Sequence, residues 1–300
     1  MMRTSHDVIA ELQSRGELWE HARGLVGLRG DALALYRALE REIGALAGRF
    51  TDDEWQVPPA VTFGTLARAD YFACFPQWLT AAAHLGGDLE AVADAACPAE
   101  AALGALAPLP VALQPAVCYH VYAELAGQVL RDARCCTVQG TCWRDEGERC
   151  SPLERGWAFT MREVVCAGSA ADVESFRAHG TAAAVELAHR LGLRCEVEVA
   201  TDPFFAPSSR GRVLVQRMKA LKHELLLPLG GGRTVAAASF NNHERFFGEA
   251  FGIVLEDGSA ASTGCIAFGL ERWLLAVLVE HGTDARDWPL AVSAEAVSCV

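Results

Sequence analysis

The chain lacks the features that would assign it to several common classes. No apolar run is long enough to span a bilayer, and residues 1–24 have no signal-peptide-like apolar core. No Cys-x-x-Cys pair occurs among its eleven cysteines, and no Lys-Ser/Thr pair follows Gly230–Gly232 as in a phosphate-binding loop. Internal repeats are absent too. These absences predict a cytoplasmic protein without membrane contact, with reduced cysteines and a hairpin turn at Gly230–Gly232.

Size and charge narrow the class further. Three hundred residues, 51% of them hydrophobic, suffice for one large domain with a full core. We predict a helical segment at 1–58 and one compact unit at 59–300. The net charge of −12 argues against a nucleic-acid partner, because phosphates require a basic surface. Five cysteines are predicted to be small core residues: Cys74, Cys97, Cys166, Cys195 and Cys299.

Hydrophobic spacing predicts an α+β chain. Apolar residues at helical intervals indicate helices at 5–24 and 30–48, and the Ala-rich residues 84–110 are also expected to be helical. Two further helices are expected, at Ser169–Leu191 and Arg272–His281. Short β-prone runs separated by glycine and Asp-Pro punctuation lie at 194–201, 224–229, 233–240 and 251–256. Strands that largely follow one another favour an antiparallel sheet flanked by helices.

The most informative stretch runs from Cys142 to Glu163. Arg144 and Glu146 stand just before a polar loop, and Arg155 and Phe159 follow it. Guanidinium groups bind phosphate charge, a carboxylate accepts from an exocyclic amine, and an aromatic ring stacks on a base. This combination predicts nucleotide binding, and a glycine-punctuated run downstream supplies one more arginine, Arg272.

These residues resemble motifs 2 and 3 of class II aminoacyl-tRNA synthetases. Motif 2 reads Arg-x-Glu, a loop, then basic-x-x-x-Phe, and motif 3 reads Gly-x-Gly-x-Glu-Arg, with Ala267 here at the first of those glycines. Residues 70–77, which contain Pro76, resemble motif 1, an interface segment in that family. The resemblance implies a class II catalytic core, a homodimer, and two antiparallel motif 2 strands at 134–144 and 155–166.

The resemblance also implies roles in adenylation. Arg144 would bind the α-phosphate and the substrate carboxylate, and Glu146 would accept from the adenine amine. Arg155 and Arg272 would bind the γ-phosphate of ATP, with the adenine stacked between Arg272 and Phe159. Catalysis would then consist of positioning and charge stabilisation.

Magnesium coordination departs from the family pattern. The family's magnesium-binding acid has no evident counterpart near residues 234–243. Ser239 and Asn241 are expected to contact substrate or nucleotide, and Glu224 is the candidate ligand for magnesium.

Cys118, Glu163 and Cys265 stand where methanogen-type seryl-tRNA synthetases and the shorter amino acid:[carrier protein] ligases have a Cys–Glu–Cys zinc site. Three protein ligands leave one tetrahedral position for the α-amine of an amino acid. The alternative is two buried thiols and an ion-paired glutamate at a strand end.

The resemblance to the carrier-protein ligases extends over about residues 60–285. It implies transfer of glycine or alanine to the phosphopantetheine thiol of a small acidic carrier protein, without stable tRNA binding. A stretch without acids contains the basic residues expected to dock that carrier: Arg210, Arg212, Arg217 and Lys219. A solvated helix face is the alternative for this stretch. For the whole chain the alternatives are a minimal seryl-tRNA synthetase and a catalytically inactive regulatory subunit.

Overall fold

The computed structural model describes residues 3–205, 214 and 216–291. In this part of the chain the helices are α1 (Ser5–Ser14), α2 (Gly30–Ala47), α3 (Phe63–Arg68), α4 (Tyr71–Cys74), α5 (Leu89–Ala93), α6 (Pro98–Gly104), α7 (Cys118–Glu124), α8 (Ala170–Arg190), α9 (Phe246–Phe251) and α10 (Leu270–His281). Short 3₁₀ turns cover Pro76–Trp78, Gly147–Arg149 and Ala285–Asp287. None of these helices is long and apolar enough to cross a membrane.

The strands in the same ranges form one large sheet and several small ones. They are β1 (Leu18–Ala22), β2 (Leu25–Leu28), β3 (Glu54–Trp55), β4 (Ala60–Thr62), β5 (Ala81–Leu85), β6 (Leu106–Leu113), β7 (Val129–Leu130), β8 (Arg134–Trp143), β9 (Ala158–Gly168), β10 (Glu196–Val199), β11 (Lys222–Pro228), β12 (Thr234–Asn242), β13 (Val254–Leu255) and β14 (Ser262–Gly269). The large sheet has the order β10-β11-β12-β14-β9-β8-β3. Its pairs are antiparallel except that of β3 with β8. This sheet confirms the predicted α+β class.

The large sheet separates two hydrophobic cores. Successive side chains of a strand point to opposite faces, so Val164 and Cys166 of β9 enter the core beneath α2, α8 and α10. Val165 and Ala167 enter a smaller core around α7 and α9. The second face is only partly covered by these helices, and its remaining area is the floor of a cavity.

The N-terminal segment differs from the prediction. Helix α1 ends at Ser14, and residues 18–28 form the hairpin β1–β2 instead of continuing the helix. Gly16 and Gly24 have φ values of +68° and +76°, left-handed conformations that cannot belong to a right-handed helix. The predicted helical segment 1–58 also contains β3, which belongs to the large sheet.

The Ala-rich residues 84–110 are only partly helical, so that prediction was wrong in part. Strands β5 and β6 occupy its two ends and join β4 in a small antiparallel sheet. Pro108 and Pro110 lie within β6, where a helix would lose hydrogen bonds, and they override the helical propensity of alanine. Of the β-prone run predicted at 251–256, only Val254–Leu255 forms a strand, β13. Helix α9 continues to Phe251 and occupies the start of that run.

The motif 2 strands and the long helix are confirmed. Strands β8 and β9 pair antiparallel along their whole length. Helix α8 begins after Ser169, whose side chain accepts from Asp172 N, and Gly192 with φ +67° lies just beyond its end. Gly230–Gly232 forms the predicted hairpin turn, closed by a 3.0 Å bond from Arg233 N to Gly230 O.

The cysteines predicted to be core residues have different surroundings. Cys74 and Cys166 are buried, as expected. Cys97 is exposed, so the prediction was wrong for this residue, whereas Cys195 is half-buried and packs against the larger core. Cys299 lies outside the described residues. Cys97 immediately precedes α6, a helix that has no buried residue.

Candidate active site

The open face of the large sheet and the segments around it enclose a cavity of about 450 Å³. Its floor consists of residues at alternate positions of β9, β11 and β14, together with residues of β12. Two rows of paired residues cross this floor: Glu224, Ser239, Ala267 and Glu163 in one, and Lys222, Asn241 and Cys265 in the other. The strand register therefore gathers residues that are more than a hundred positions apart in the sequence, such as Glu163 and Ala267.

Cys118, Glu163 and Cys265 converge at one end of this floor. Cys118 is the first residue of α7, and Glu163 and Cys265 lie on the neighbouring strands β9 and β14. All three are buried, and one ligand atom from each lies within 4.8 Å of the other two. In a tetrahedral zinc site Zn–S bonds are about 2.3 Å and Zn–O bonds about 2.0–2.2 Å, so ligand atoms must approach one another in this way.

The burial of this triad also favours a cation. Burial raises the pKa of Glu163 to about 8, and the nearby Cys265 adds to the shift. Neither Glu163 carboxyl oxygen has a hydrogen-bond partner among the described residues, although the side chain is only 1% exposed. Such an orphaned carboxyl is expensive to bury unless a cation neutralises it. The donor set therefore fits a zinc ion bound through two sulfurs and one oxygen.

Cys265 is the thiol most readily ionised in the triad. A hydrogen bond with Cys118 lowers the pKa of Cys265 well below its ordinary value, and contacts with His243 and Asn241 act in the same direction. Asn241 Nδ2 donates to Cys265 Sγ at 3.4 Å, and His243 Nε2 lies 3.9 Å from the same sulfur. Tyr122 OH, 3.3 Å from His243 Nδ1, fixes that ring. Sequence reasoning missed Tyr122 and His243, which form the outer support of the triad.

The nucleotide-binding residues predicted from motif 2 all line the same cavity. Arg144 follows β8, and its Nε donates to Pro115 O at 3.0 Å. Its guanidinium lies over the ring of Phe159, 5.4 Å from the centroid. Glu146 is buried and accepts from Arg155 NH1 at 3.2 Å. The structure thus brings the predicted carboxylate, ring and guanidinium groups together.

Arg272 extends across the cavity from the first turn of α10. Its Nε donates to Glu154 O and its NH1 to Ala236 O, both at 2.8 Å. Burial lowers the pKa of Arg272 to about 10, and the charges of Arg155 and Arg144 add to this effect. The three guanidinium groups of Arg144, Arg155 and Arg272 line one cavity, and this concentration of positive charge favours a polyanion such as a triphosphate.

Comparison with known proteins agrees with this geometry. No family model matches the chain. Amino acid–[acyl-carrier-protein] ligase 2 of Bradyrhizobium diazoefficiens is 36% identical over 282 residues, which are 91% of this chain and 83% of that protein. The chain belongs to the amino acid–[acyl-carrier-protein] ligase family. It is a ligase, and the family resemblance drawn from its motifs is confirmed.

More distant relatives agree with the class II core. The type-2 serine–tRNA ligase of Methanopyrus kandleri is 29% identical over 192 residues, covering 59% of this chain and 36% of that protein. The crystal structure of an M. kandleri seryl-tRNA synthetase with an A. aeolicus tRNASec superposes with a TM-score of 0.84 at 24% identity. That match covers 96% of this chain and 59% of the synthetase, so the ligase has the fold of class II synthetases.

The magnesium candidate of the ligase is already ion-paired. Glu224 Oε1 lies 3.0 Å from Lys222 Nζ, and Lys222 Nζ also lies 2.6 Å from Asp202 Oδ1. Gln216 holds Asp202 by donating to its Oδ2 at 2.8 Å. Sequence reasoning missed the Lys222–Asp202 pair, because it joins β11 to a segment twenty residues earlier. The remaining predicted contact residue, Ser239, accepts from Asn241 Nδ2 at 3.2 Å on the cavity floor.

A column of flat side chains runs along the cavity, and all of its members except Phe204 line it. Phe204 stacks on Phe75 at 5.1 Å and 22°, and Phe75 stacks on Trp78 at 5.5 Å and 9°. The Arg144 guanidinium lies 5.3 Å from the Trp78 ring and continues the column to Phe159. Residues 70–77, predicted as an interface segment, thus contribute to the cavity wall of the ligase.

The predicted carrier-docking stretch is described only in part. Arg210 and Arg212 lie outside the described residues, whereas Arg217 and Lys219 are exposed. Lys219 Nζ pairs with Glu244 at 2.8 Å. Large apolar side chains accompany these cations on the surface: Phe205 (62% exposed), Leu214 (58%) and Met218 (76%). The sequence-based prediction for this stretch rested on its positive charge alone and did not include these apolar side chains.

Proposed function

We propose that the ligase uses ATP to join a small amino acid, glycine or alanine, to the phosphopantetheine thiol of an acidic carrier protein. The observation that carries the proposal is one cavity that contains both the Cys118–Glu163–Cys265 triad and the Arg144–Arg272 nucleotide site. An amine-binding centre beside a triphosphate-binding centre is what adenylation of an amino acid requires.

Selection of the amino acid is assigned to the triad. Cys118, Glu163 and Cys265 would hold zinc, which when bound offers its fourth position to a neutral α-amine. Asn241 and His243 orient Cys265, and so orient the group bound there. Glycine and alanine differ by one methyl, which is worth only about 1–3 kcal/mol, so both are proposed as substrates.

Arg144, Arg155 and Arg272 perform the adenylation by positioning and by charge stabilisation. A carboxylate oxygen of the amino acid attacks the α-phosphorus of ATP, and the bond to pyrophosphate breaks. Arg144 neutralises charge at the reacting phosphate, while Arg155 and Arg272 bind the leaving pyrophosphate. A carboxylate is already nucleophilic, so this step needs no general base.

Magnesium is proposed to accompany ATP, bound mainly by its phosphates with Glu224 as the protein ligand. Mg²⁺ characteristically takes one or two carboxylates together with substrate phosphates. The Lys222 ammonium competes for Glu224, and Asp202 offers it an alternative partner at 2.6 Å. Lys222 would therefore turn wholly to Asp202 when the cation binds.

Transfer to the carrier completes the reaction. The pantetheine sulfur bonds to the adenylate carbonyl carbon, the bond to AMP breaks, and the thiol proton passes to solvent. Docking is assigned to Arg210, Arg212, Arg217 and Lys219, together with the exposed Phe205, Leu214 and Met218. Cations would direct an acidic carrier to this surface, and apolar side chains would supply contact area. Phe204, beside this surface, begins the aromatic column that leads to Arg144.

Two further assignments follow from the family resemblance. The ligase is proposed to act as a homodimer and in the cytoplasm, where its free thiols stay reduced. Both are testable by light scattering and by cell fractionation.

A second candidate differs only in the acceptor. The similarity to the type-2 serine–tRNA ligase of Methanopyrus kandleri, 29% identical over 192 residues, is the reason to keep a minimal tRNA-charging enzyme as the alternative. The experiment that separates the two offers ATP, Mg²⁺ and single amino acids with either phosphopantetheinylated carrier or tRNA. A glycyl or alanyl mass gain on the carrier supports the proposal, and charging of tRNA overturns it.

A further inference from the structure

Two hydrogen-bond donors in the cavity wall have no partner within the described residues. Tyr71 is only 2% exposed, and its hydroxyl makes no hydrogen bond there. The indole Nε1 of Trp78 is likewise buried and unbonded. Both side chains line the cavity that contains the triad and Arg144.

Neither donor is explained by folding. Packing holds the Tyr71 ring, which lies 5.8 Å edge-on from Tyr119 and 5.7 Å from Phe75. A phenylalanine would make the same contacts, whereas an unsatisfied buried polar group costs about 1–3 kcal/mol. The hydroxyl therefore lowers the stability of the free protein, and a bound ligand could supply the hydrogen-bond partner that it lacks.

The chemistry of the two donors limits what that ligand offers. Indole N–H is donor-only, and burial raises the pKa of Tyr71 to about 12, so its hydroxyl stays protonated. An acceptor atom of the ligand would satisfy both donors, and the Arg144 guanidinium beside Trp78 favours a negatively charged one. Tyr71 packs on Tyr119, the neighbour of the triad residue Cys118, and all three residues line the same cavity.

We propose that Tyr71 O–H and Trp78 Nε1–H donate hydrogen bonds to the carboxylate of the bound amino acid, and afterwards to the carbonyl oxygen of its adenylate. The inference rests on the proposed function. With the amine held at the triad and the carboxylate held by these donors and Arg144, the amino acid is fixed at both ends. Tyr71 and Trp78 are then substrate-binding residues that no part of motif 2 or motif 3 supplies.

The test compares Tyr71→Phe and Trp78→Phe with wild type in amino-acid-dependent ATP–pyrophosphate exchange. A hydrogen bond to a charged group is worth about 1.5–3 kcal/mol, so the KM for glycine should rise about tenfold or more in Tyr71→Phe. The KM for ATP should change less than twofold. Trp78→Phe keeps a ring on Phe75 and should show the same pattern.

Thermal unfolding separates this role from a structural one. Because Tyr71→Phe removes an unsatisfied hydroxyl, its midpoint should equal or exceed that of wild type. The matched control is Tyr122→Phe, which removes a hydroxyl bonded within the protein to His243 at 3.3 Å and should unfold at lower temperature. A lowered midpoint in Tyr71→Phe, an unchanged KM for glycine, or a raised KM for ATP alone would each overturn the inference. No exchange by wild type with any amino acid would instead refute the proposed function and, with it, this inference.

Discussion

Glu163 of β9 and Ala267 of β14 are opposed residues of one antiparallel pair. The orphaned carboxyl thus lies beside a methyl group, at the position where motif 3 of class II synthetases has a glycine. A side chain this small leaves the carboxyl uncovered from the β14 side. Glu163 therefore lines the cavity although only 1% of its surface is exposed.

Zinc content is the most direct prediction. Purified ligase should contain about one zinc ion per chain, and Glu163→Gln and Cys265→Ser should each lose most of it, because each removes one of three ligands. Elemental mass spectrometry measures the content. Wild type stripped with a chelator should unfold at a lower temperature and recover when zinc is restored.

Cys166→Ser is the matched control for zinc binding. Cys166 is also a buried cysteine on β9, but it points into the core on the opposite face of the sheet from Glu163. The zinc content of the Cys166→Ser variant should equal that of wild type. Equal zinc in Glu163→Gln and Cys166→Ser would show that the triad binds no metal.

A second prediction distinguishes two arginines that both pair with Glu146. Arg155 NH1 and Arg149 NH2 lie 3.2 and 3.1 Å from the same Glu146 oxygen. Arg155 lines the cavity, whereas Arg149 is 66% exposed and outside it. Arg155→Ala should raise the KM for ATP about tenfold or more, through loss of a charge-assisted phosphate contact, and Arg149→Ala should leave it within twofold. If both variants raise the KM for ATP equally, the arginines act through their ion pairs with Glu146 and not through phosphate binding.

Sequence reasoning identified the residues that lie in motifs of fixed spacing. Arg144, Glu146 and Phe159 belong to one hairpin, so local register determines their proximity. Contacts between distant segments could not be read in this way. The Lys222–Asp202 pair and the stacking of Phe204 on Phe75 depend on the conformation of the loops that pack on the sheet. The N-terminal hairpin was not predicted because apolar residues at helical spacing continue through 5–24, and that spacing does not show that Gly16 and Gly24 adopt left-handed conformations.

A third prediction concerns the pH dependence of stability. Glu271 accepts from Thr160 N with both carboxylate oxygens, and burial raises its pKa from 4.5 to about 7. Its neutral form is favoured in the folded state, so its contribution to stability is complete below about pH 4.5. The contribution is lost as the pH rises through 7. In zinc-saturated protein, the unfolding midpoint of Glu271→Gln should therefore fall less than that of wild type between pH 5 and 8. If the unfolding midpoints of the two proteins fall equally over this pH range, Glu271 does not contribute to the pH dependence of stability.

Charge reversal tests carrier docking. Arg212→Glu with Arg217→Glu should raise the KM for the acidic carrier at least severalfold while leaving ATP–pyrophosphate exchange unchanged, because docking and adenylation use different surfaces. Arg41→Glu, an exposed reversal on α2, is the control for net charge. If all variants show the same carrier kinetics, docking takes place elsewhere. Added salt should weaken carrier binding to wild type more than to the double variant.

The last prediction assigns a role to the N-terminal hairpin. Gly24 O accepts from Trp157 N at 2.9 Å and from Ala158 N at 3.2 Å, which joins the hairpin turn to the end of the motif 2 loop. A Cβ on Gly24 would lie 2.5 Å from Trp157 N. Gly24→Ala should therefore destabilise the ligase by roughly 2–4 kcal/mol and raise the KM for ATP, since Phe159 follows directly in the chain.

Gly232→Ala is its matched control. Gly232 has φ +78°, close to the +76° of Gly24, but a Cβ there would meet nothing within 4 Å. The free energy of unfolding of Gly232→Ala should fall by only the roughly 1–2 kcal/mol that a left-handed conformation costs a residue with a side chain. The KM of this variant for ATP should not change. Denaturant unfolding and exchange kinetics measure both variants. If Gly24→Ala and Gly232→Ala behave alike, the turn is strained but does not position the nucleotide site. If only Gly24→Ala weakens ATP binding, a hairpin outside every synthetase motif helps to hold the motif 2 loop in place.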